Sequence, residues 1–371
     1  MLPSTVLDWL YTKVQELGRH KLWFLSLGFL FVIVTLINGV GVVPEAPYQR
    51  LSENLFITRT DIHFRNNFQE TLLLPAIAFI LNLTSPLTFN ILCYVIIVCG
   101  YAVFVVYTYL RWGALQALIF SALLITSPLT TVLFTWLGMP DGLSVALTIP
   151  FLFTNSALLI FALAVLGSTN HLVFLIAAGE IIALRWFSRD GIKIQHVMAM
   201  GAGGIAGTLL VKAFLAFNQI TVAPRAEFLF TRSVWEWTKL NITHLPLSLF
   251  SLFNIHWLAI IICFLMFFKW DKRFYLSVSV IFAVNYGVSF FSLDTTRIFS
   301  LLSLGIFMLC LFHSYTLAVN HPEAISEHQR QFLQALILIG VVSIFSPRYF
   351  SWAGEIHATP FYEFIIRLLI R

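Results

Sequence analysis

Of the 371 residues, 59% are hydrophobic and only 11% are charged, and the mean hydropathy is +0.88. Soluble chains carry about a quarter charged residues, so 22 Lys and Arg with 17 Asp and Glu cannot clothe a chain of this size in water. The formal charge of +5 comes from basic residues scattered singly through polar breaks, which argues against nucleic acid as a partner and for membrane orientation.

A spanning helix needs roughly 20 apolar residues, and apolar runs recur from Leu22 to Phe345 with short polar breaks. The whole length therefore reads as one all-α polytopic bundle, a single integral membrane domain over 1–371. Lys13, Arg19 and Lys21 precede the first run without a convincing small-residue cleavage site, so a retained first helix over 22–43 is expected. The stretch 44–70 holds seven acidic or basic residues and forms the first polar loop. Thr71–Asn82 is about 18 Å long as a helix, too short to span, and predicts a partial or interfacial element. Spans follow at 87–109 and 114–134, the second ending in the turn Gly138-Met-Pro-Asp141-Gly.

The segment 142–166 decides the topology, since it reads either as one long helix or as two short ones broken near Pro150 and Asn155. With two, the loops sharing the N-terminal side (1–21, 110–113, 154–156, 185–196, 269–273, 320–331) hold eleven Lys or Arg in 57 residues, against ten in 102 opposite. One long helix reverses that bias, so the positive-inside rule favours the break and a cytoplasmic N-terminus. Later spans fall at about 172–184, 196–216, 251–268, 274–292, 297–319 and 331–346, giving ten or eleven crossings. Loop 217–250 mixes Phe228, Phe230, Trp235, Trp237 and Leu240 with Arg225, Arg232 and Lys239, the composition of an amphipathic segment in the headgroup plane or of an ordinary aromatic belt. The four cysteines, Cys93, Cys99, Cys263 and Cys310, lie in apolar runs as small hydrophobes and predict neither disulfides nor a metal site.

Three polar constellations fall on the side opposite the N-terminus. In the first loop, Asp61, His63, Arg65 and Glu70 sit close to the membrane surface. A carboxylate there can serve as general base toward a hydroxyl. Asp61 is the better candidate, since Glu70 directly precedes an apolar helix whose N-terminal dipole it would favour. Asp141, in the second, either caps the following helix or faces Asp61 across a cavity as an acid/base pair or a divalent-cation site; the metal question stays open. In the third, Asp294 and Arg297 form either an interfacial clamp or a phosphate-holding fork. Arg225, Arg232, Arg348 and His171 lie on the same side. Within spans, Glu180, Lys212, His256 and Asn285 signify either interhelical hydrogen bonds or a transport path. No Gly-rich phosphate loop, dinucleotide fingerprint, zinc spacing or nucleophile elbow is present for a cytosolic donor.

Taken with these motifs, the chain resembles the GT-C-type membrane glycosyltransferases, on the acidic first loop with Asp61 ending Glu70-Thr-Leu-Leu-Leu-Pro75, on Gly138-Met-Pro-Asp141 and on Asp294-Thr-Thr-Arg297. The resemblance covers roughly 20–300, with 301–371 as accessory C-terminal helices. It departs from the family in lacking paired acidic residues in the first loop and a C-terminal soluble domain. It implies extracytoplasmic transfer of a sugar from a polyprenyl-phosphate donor to a lipid-linked glycan, polysaccharide or protein acceptor in a cell envelope, and the short loops and dense Phe content fit a bacterial inner membrane at least as well as a eukaryotic one. Asp61, Asp141 and Glu70 would be the catalytic carboxylates, and His63, Arg65, His171, Arg225, Arg232, Asp294, Arg297 and Arg348 the substrate-binding set. The partners implied are the lipid-linked donor, the acceptor and membrane lipids. The competing readings are a transporter or flippase of lipid-linked glycans, which would use polar groups near the midplane, and a non-catalytic envelope-assembly subunit.

Overall fold

A computed structural model of the chain describes residues 4–41, 47–59, 67–188, 190–222, 234–292, 294–320 and 326–363. Within them run seventeen α-helices and one two-stranded hairpin. Five helical segments are long and apolar enough to cross a membrane, and seven if each of two bent pairs is one span. Leu, Val and Phe side chains such as Phe29, Leu36, Leu110, Leu158 and Leu265 stand exposed around the bundle, a wall that only lipid can solvate. The protein is a multi-pass integral membrane protein.

The difference from ten or eleven crossings comes from spans that are broken or short. Helix α1 (Ser4–Arg19) carries apolar residues at helical spacing, turns 116° into α2 (Trp23–Asn38) and packs on α6 (Ala114–Ile125). It is a separate amphipathic helix that the expectation of one N-terminal helix over 22–43 did not contain. Gly39, at φ +68°, ends α2 in a conformation that disfavours any side chain. The loop 44–70 is partly helical, with α3 (Pro47–Glu53) and a 3-10 turn at Asn67–Glu70. As expected, α4 (Leu73–Ile80) is a short element, followed by the long α5 (Pro86–Trp112). The predicted span 114–134 bends by 50° between α6 and α7 (Pro128–Thr135), where Pro128 cannot supply a helical N–H.

Segment 142–166 is two pieces. Helix α8 (Asp141–Thr148) passes into a 3-10 turn at Ile149–Leu152, and after a break α9 (Ala157–Asn170) starts with Ser156 accepting from the Leu159 N–H. Helices α10 (Leu172–Phe187) and α11 (Ile194–Phe217) follow, α11 lying against α9 along most of its length. Next come α12 (Val234–Ile242), α13 (Leu245–Phe253), α14 (Trp257–Phe267) and α15 (Lys272–Phe290). In α12, Trp235 is exposed and Trp237 buried, as an amphipathic segment requires.

Helix α16 (Thr295–Asn320) is the axis of the bundle. Its most apolar window is 89% buried, against 28–44% for the other four spanning candidates, because α10, α14, α15 and α17 (Ser326–Phe345) surround it. Gly305 lets Ile181 of α10 approach its backbone; any Cβ there would collide. After α17 the chain forms a β-hairpin, β1 (Tyr349–Trp352) antiparallel to β2 (Glu355–Ala358), and helix resumes at Pro360. Its turn, Ala353-Gly354, has both residues at positive φ, the geometry that matches hairpin twist.

Side-chain contacts sort the polar breaks into two ends. At one, Arg111 and Arg185 meet Asp190, Arg185 reaches Asn155, Arg273 lies over Phe187, His313 meets Asp271, and Arg330 meets Asp8. At the other, Arg297 meets Asp141, Thr295 meets Asn241, and Ser351 meets Thr296. This is the grouping that the broken-helix reading of 142–166 requires.

Candidate functional site

The charged centre of the second end is built by two tight turns. Gly138, at φ +98°, reverses the chain after α7, and Pro140 precedes α8, so that Asp141 is the first residue of that helix. Its carboxylate makes no capping bond. It turns instead to Arg297, in the first turn of α16: Arg297 Nε donates to Asp141 Oδ2 at 2.6 Å and Nη2 to Oδ1 at 3.2 Å. The remaining edge of the guanidinium donates from Nη1 to Asp294 Oδ2 at 2.8 Å. Both Asp141 and Arg297 are buried, while Asp294 keeps some exposure.

Of the two expectations for Asp294 and Arg297, the geometry is the clamp: a planar fork held bidentately by one carboxylate and capped by another. Two carboxylates against one guanidinium leave the trio with a formal charge of −1, and Asp294 Oδ1 is buried without a partner. Around it, Thr295 Oγ1 donates to Asn241 Oδ1 at 3.2 Å, and Thr296 Oγ1 accepts from the Ser351 N–H at 2.8 Å. Ser251 and Thr296 share a hydroxyl hydrogen bond at 2.7 Å. The crevice beside the Gly138–Leu143 turn, walled by Leu74, Cys93, Trp136 and Met139, leaves no room for a water molecule.

Arg348 belongs to a neighbouring cluster. Its Nη1 donates to Asn38 Oδ1 at 3.2 Å and its Nη2 to the Ser343 carbonyl at 3.3 Å. Thr131 Oγ1 donates to the same Asn38 oxygen at 3.0 Å. Burial pulls the guanidinium down to about 10, which still leaves it protonated at neutral pH. No carboxylate among the described residues pairs with it. The hairpin joins the two clusters, since Arg348 precedes β1 and Ser351 within β1 reaches Thr296, next to Arg297.

The other expected site residues are distributed as follows. Asp61, His63, Arg65, Arg225 and Arg232 lie outside the described residues. Glu70 is half-buried in the 3-10 turn before α4. His171 caps α10, its Nδ1 accepting from the Val173 N–H at 3.3 Å. Asp141, Asp294 and Arg297 come together; Glu70, His171 and Arg348 do not join them. Among the described residues no three His, Cys, Asp or Glu side chains group as metal ligands, and Arg297 takes the place between two carboxylates that a divalent cation would fill.

Several polar participants escaped the sequence reading. Asn38, Thr131, Asn241 and Ser251 are ordinary residues of apolar or loop segments, and only their tertiary neighbours reveal them. At the opposite end, Arg185 was unmarked, although a single Arg closing an apolar helix just before Asp190 was a usable signal. No family model, curated protein or solved structure matches the chain.

Proposed function

We propose that the chain is a GT-C-like membrane glycosyltransferase that moves a sugar from a polyprenyl-phosphate carrier to a hydroxyl of a lipid-linked glycan, polysaccharide or protein. The carrying observation is the convergence of Asp141, Asp294 and Arg297 beside the Arg348 cluster at one end of a lipid-solvated bundle. On this reading that end is extracytoplasmic, in a bacterial inner membrane, with the N-terminus in the cytoplasm.

The acceptor oxygen attacks the anomeric carbon, the bond from that carbon to the phosphate oxygen breaks with inversion, and the proton passes to a carboxylate base. Asp61 is the base we favour, since both oxygens of Asp141 are engaged by Arg297. The departing phosphate is already a good leaving group and needs positive charge more than an acid. Asp141 and Asp294 act as positioning residues, fixing the start of α8 to the start of α16. We assign donor and acceptor binding to His63, Arg65, His171, Arg225 and Arg232, as the resemblance implies, and keep Glu70 as a further candidate carboxylate.

The test is transfer by the full chain in nanodiscs, with a polyprenyl-phosphate sugar and a hydroxyl acceptor. Turnover that Asp61→Asn abolishes supports the reading; wild-type turnover in that variant removes Asp61 as base, and no turnover with any such donor removes the enzyme. One observation favours the transporter as a second reading. Asn285 Nδ2 donates to Glu180 Oε2 at 3.0 Å and to Ser303 Oγ at 3.1 Å, linking three helices well inside the bundle. Uptake or flipping of a lipid-linked glycan lost in Glu180→Gln, without transfer, would favour it.

A further inference from the structure

Arg348 is 2% exposed, and among the described residues no carboxylate neutralises it. Its two hydrogen bonds, at 3.2 and 3.3 Å, go to a neutral amide and a carbonyl, and its Nε–H is buried without any partner. A buried guanidinium with neither a counter-charge nor a full set of acceptors costs several kcal/mol. Two residues that touch it also hold unused buried donors. Asn38, which accepts from Arg348, has an unpartnered Nδ2. Thr359, whose N–H donates to the Arg348 carbonyl at 3.1 Å, has an unpartnered Oγ1. An amide N–H and a guanidinium N–H can only donate, and a hydroxyl can do so. A site of free donors around one uncompensated cation lacks an acceptor that carries negative charge.

We infer that Arg348, Asn38 and Thr359, at the base of the hairpin, form a subsite for a phosphate-type oxyanion. The ligand oxygens would accept from Arg348 Nε, Asn38 Nδ2 and Thr359 Oγ1, and its charge would offset the guanidinium. A small, strongly charged tetrahedral group fits this donor set. A carboxylate from the protein would have served as well, and Arg297 nearby has two. Arg348 is shielded from solvent, so a ligand enters by parting the hairpin base, where Thr359 pairs with Arg348. The subsite stands on the missing counter-charge and on the three unpartnered donors; only its assignment to a lipid-borne phosphate rests on the transfer reading.

The experiment is thermal unfolding of the full chain in nanodiscs, titrated with inorganic phosphate, with farnesyl phosphate, and with farnesol and sodium chloride as controls. A midpoint rising with ligand concentration reports binding to the folded state. A rise with inorganic phosphate identifies a free-anion site, and a rise with farnesyl phosphate alone identifies a lipid headgroup. Asn38→Asp supplies a carboxylate next to Arg348, so its ligand-free midpoint should rise and its apparent affinity fall at least tenfold. Arg348→Lys keeps the charge and loses the fork, and its response should shrink as well. Neither ligand exceeding the controls overturns the subsite, as does an unchanged response in both variants. No sugar transfer enters the measurement, so its failure is distinct from failure of the proposed activity.

Discussion

Two arginines, Arg185 at one end of the bundle and Arg348 at the other, are equally buried and differently used. Arg185 donates from Nη1 to the Phe151 and Thr154 carbonyls, both at 2.7 Å, from Nη2 to Asn155 Oδ1 at 2.6 Å, and from Nε to Asp190 Oδ2 at 3.1 Å. Arg111 holds Asp190 from the far side at 3.0 Å, and His196 meets the Asn155 carbonyl at 3.0 Å. The carbonyls it receives are those left open where the chain breaks between α8 and α9. Arg185 is therefore the bolt that makes two short helices out of 142–166. Arg348 has a comparable setting and only two long, neutral bonds. Burial says that a charge is important; the completeness of its partners says whether it serves the fold or awaits something else.

The sharpest way to break this comparison is to replace both side chains by methionine. Arg185→Met leaves two buried carbonyls without their donor and Asp190 with Arg111 alone, and should cost about 3–5 kcal/mol, the usual penalty for removing one member of a buried polar pair. Arg348→Met removes a charge that nothing neutralises, so its cost should be well below that of Arg185→Met. Urea unfolding of both variants decides it, and equal losses would dissolve the distinction.

Arg297 lies between the two cases. Asp141→Asn removes the bidentate partner and should cost about 3 kcal/mol. Asp294→Asn removes a partner whose side chain is 21% exposed and should cost less, about 1 kcal/mol. A double-mutant cycle with Arg297→Lys measures the two couplings directly, and a larger value for Asp294 would contradict the clamp. The turn that presents Asp141 is sharpened by Gly138→Ala, which forces a Cβ into a positive-φ position 3.0 Å from Asn90 Oδ1 and should cost about 1–2 kcal/mol. A similarly small effect belongs to Asn285→Ala, about 0.6 kcal/mol on average for an interhelical hydrogen bond. On the enzyme reading it should leave transfer intact, and on the transporter reading it should abolish movement of substrate.

Much of the fold is legible in composition. Long apolar runs bounded by Gly, Pro and charge mark α5, α11, α15 and α16, and the positive-inside count selects the break in 142–166 for a reason that the Arg185 bolt makes physical. The misses share a cause. Helix α1 is amphipathic and too polar for a search tuned to lipid-filling runs. The hairpin is two four-residue strands with an Ala-Gly turn, a short signal beside twenty-residue helices. At the site, Asp141, Asp294 and Arg297 stand out because charges in apolar surroundings are conspicuous. Asn38, Thr131 and Thr359 do not, because neutral polar residues gain meaning only from the Arg348 that folding brings to them, in the case of Asn38 across 310 positions.

The account depends on the Arg297 and Arg348 end facing away from the cytoplasm, where lipid-linked sugars would be used. Single cysteines at two exposed positions, Glu355→Cys on the hairpin and Lys272→Cys at the start of α15, test this in a background without the four native thiols. A membrane-impermeant thiol reagent applied to intact cells should label the hairpin position and spare the α15 position until the membrane is opened. The reverse pattern would put the whole charged end in the cytoplasm and contradict transfer from an extracytoplasmic lipid carrier.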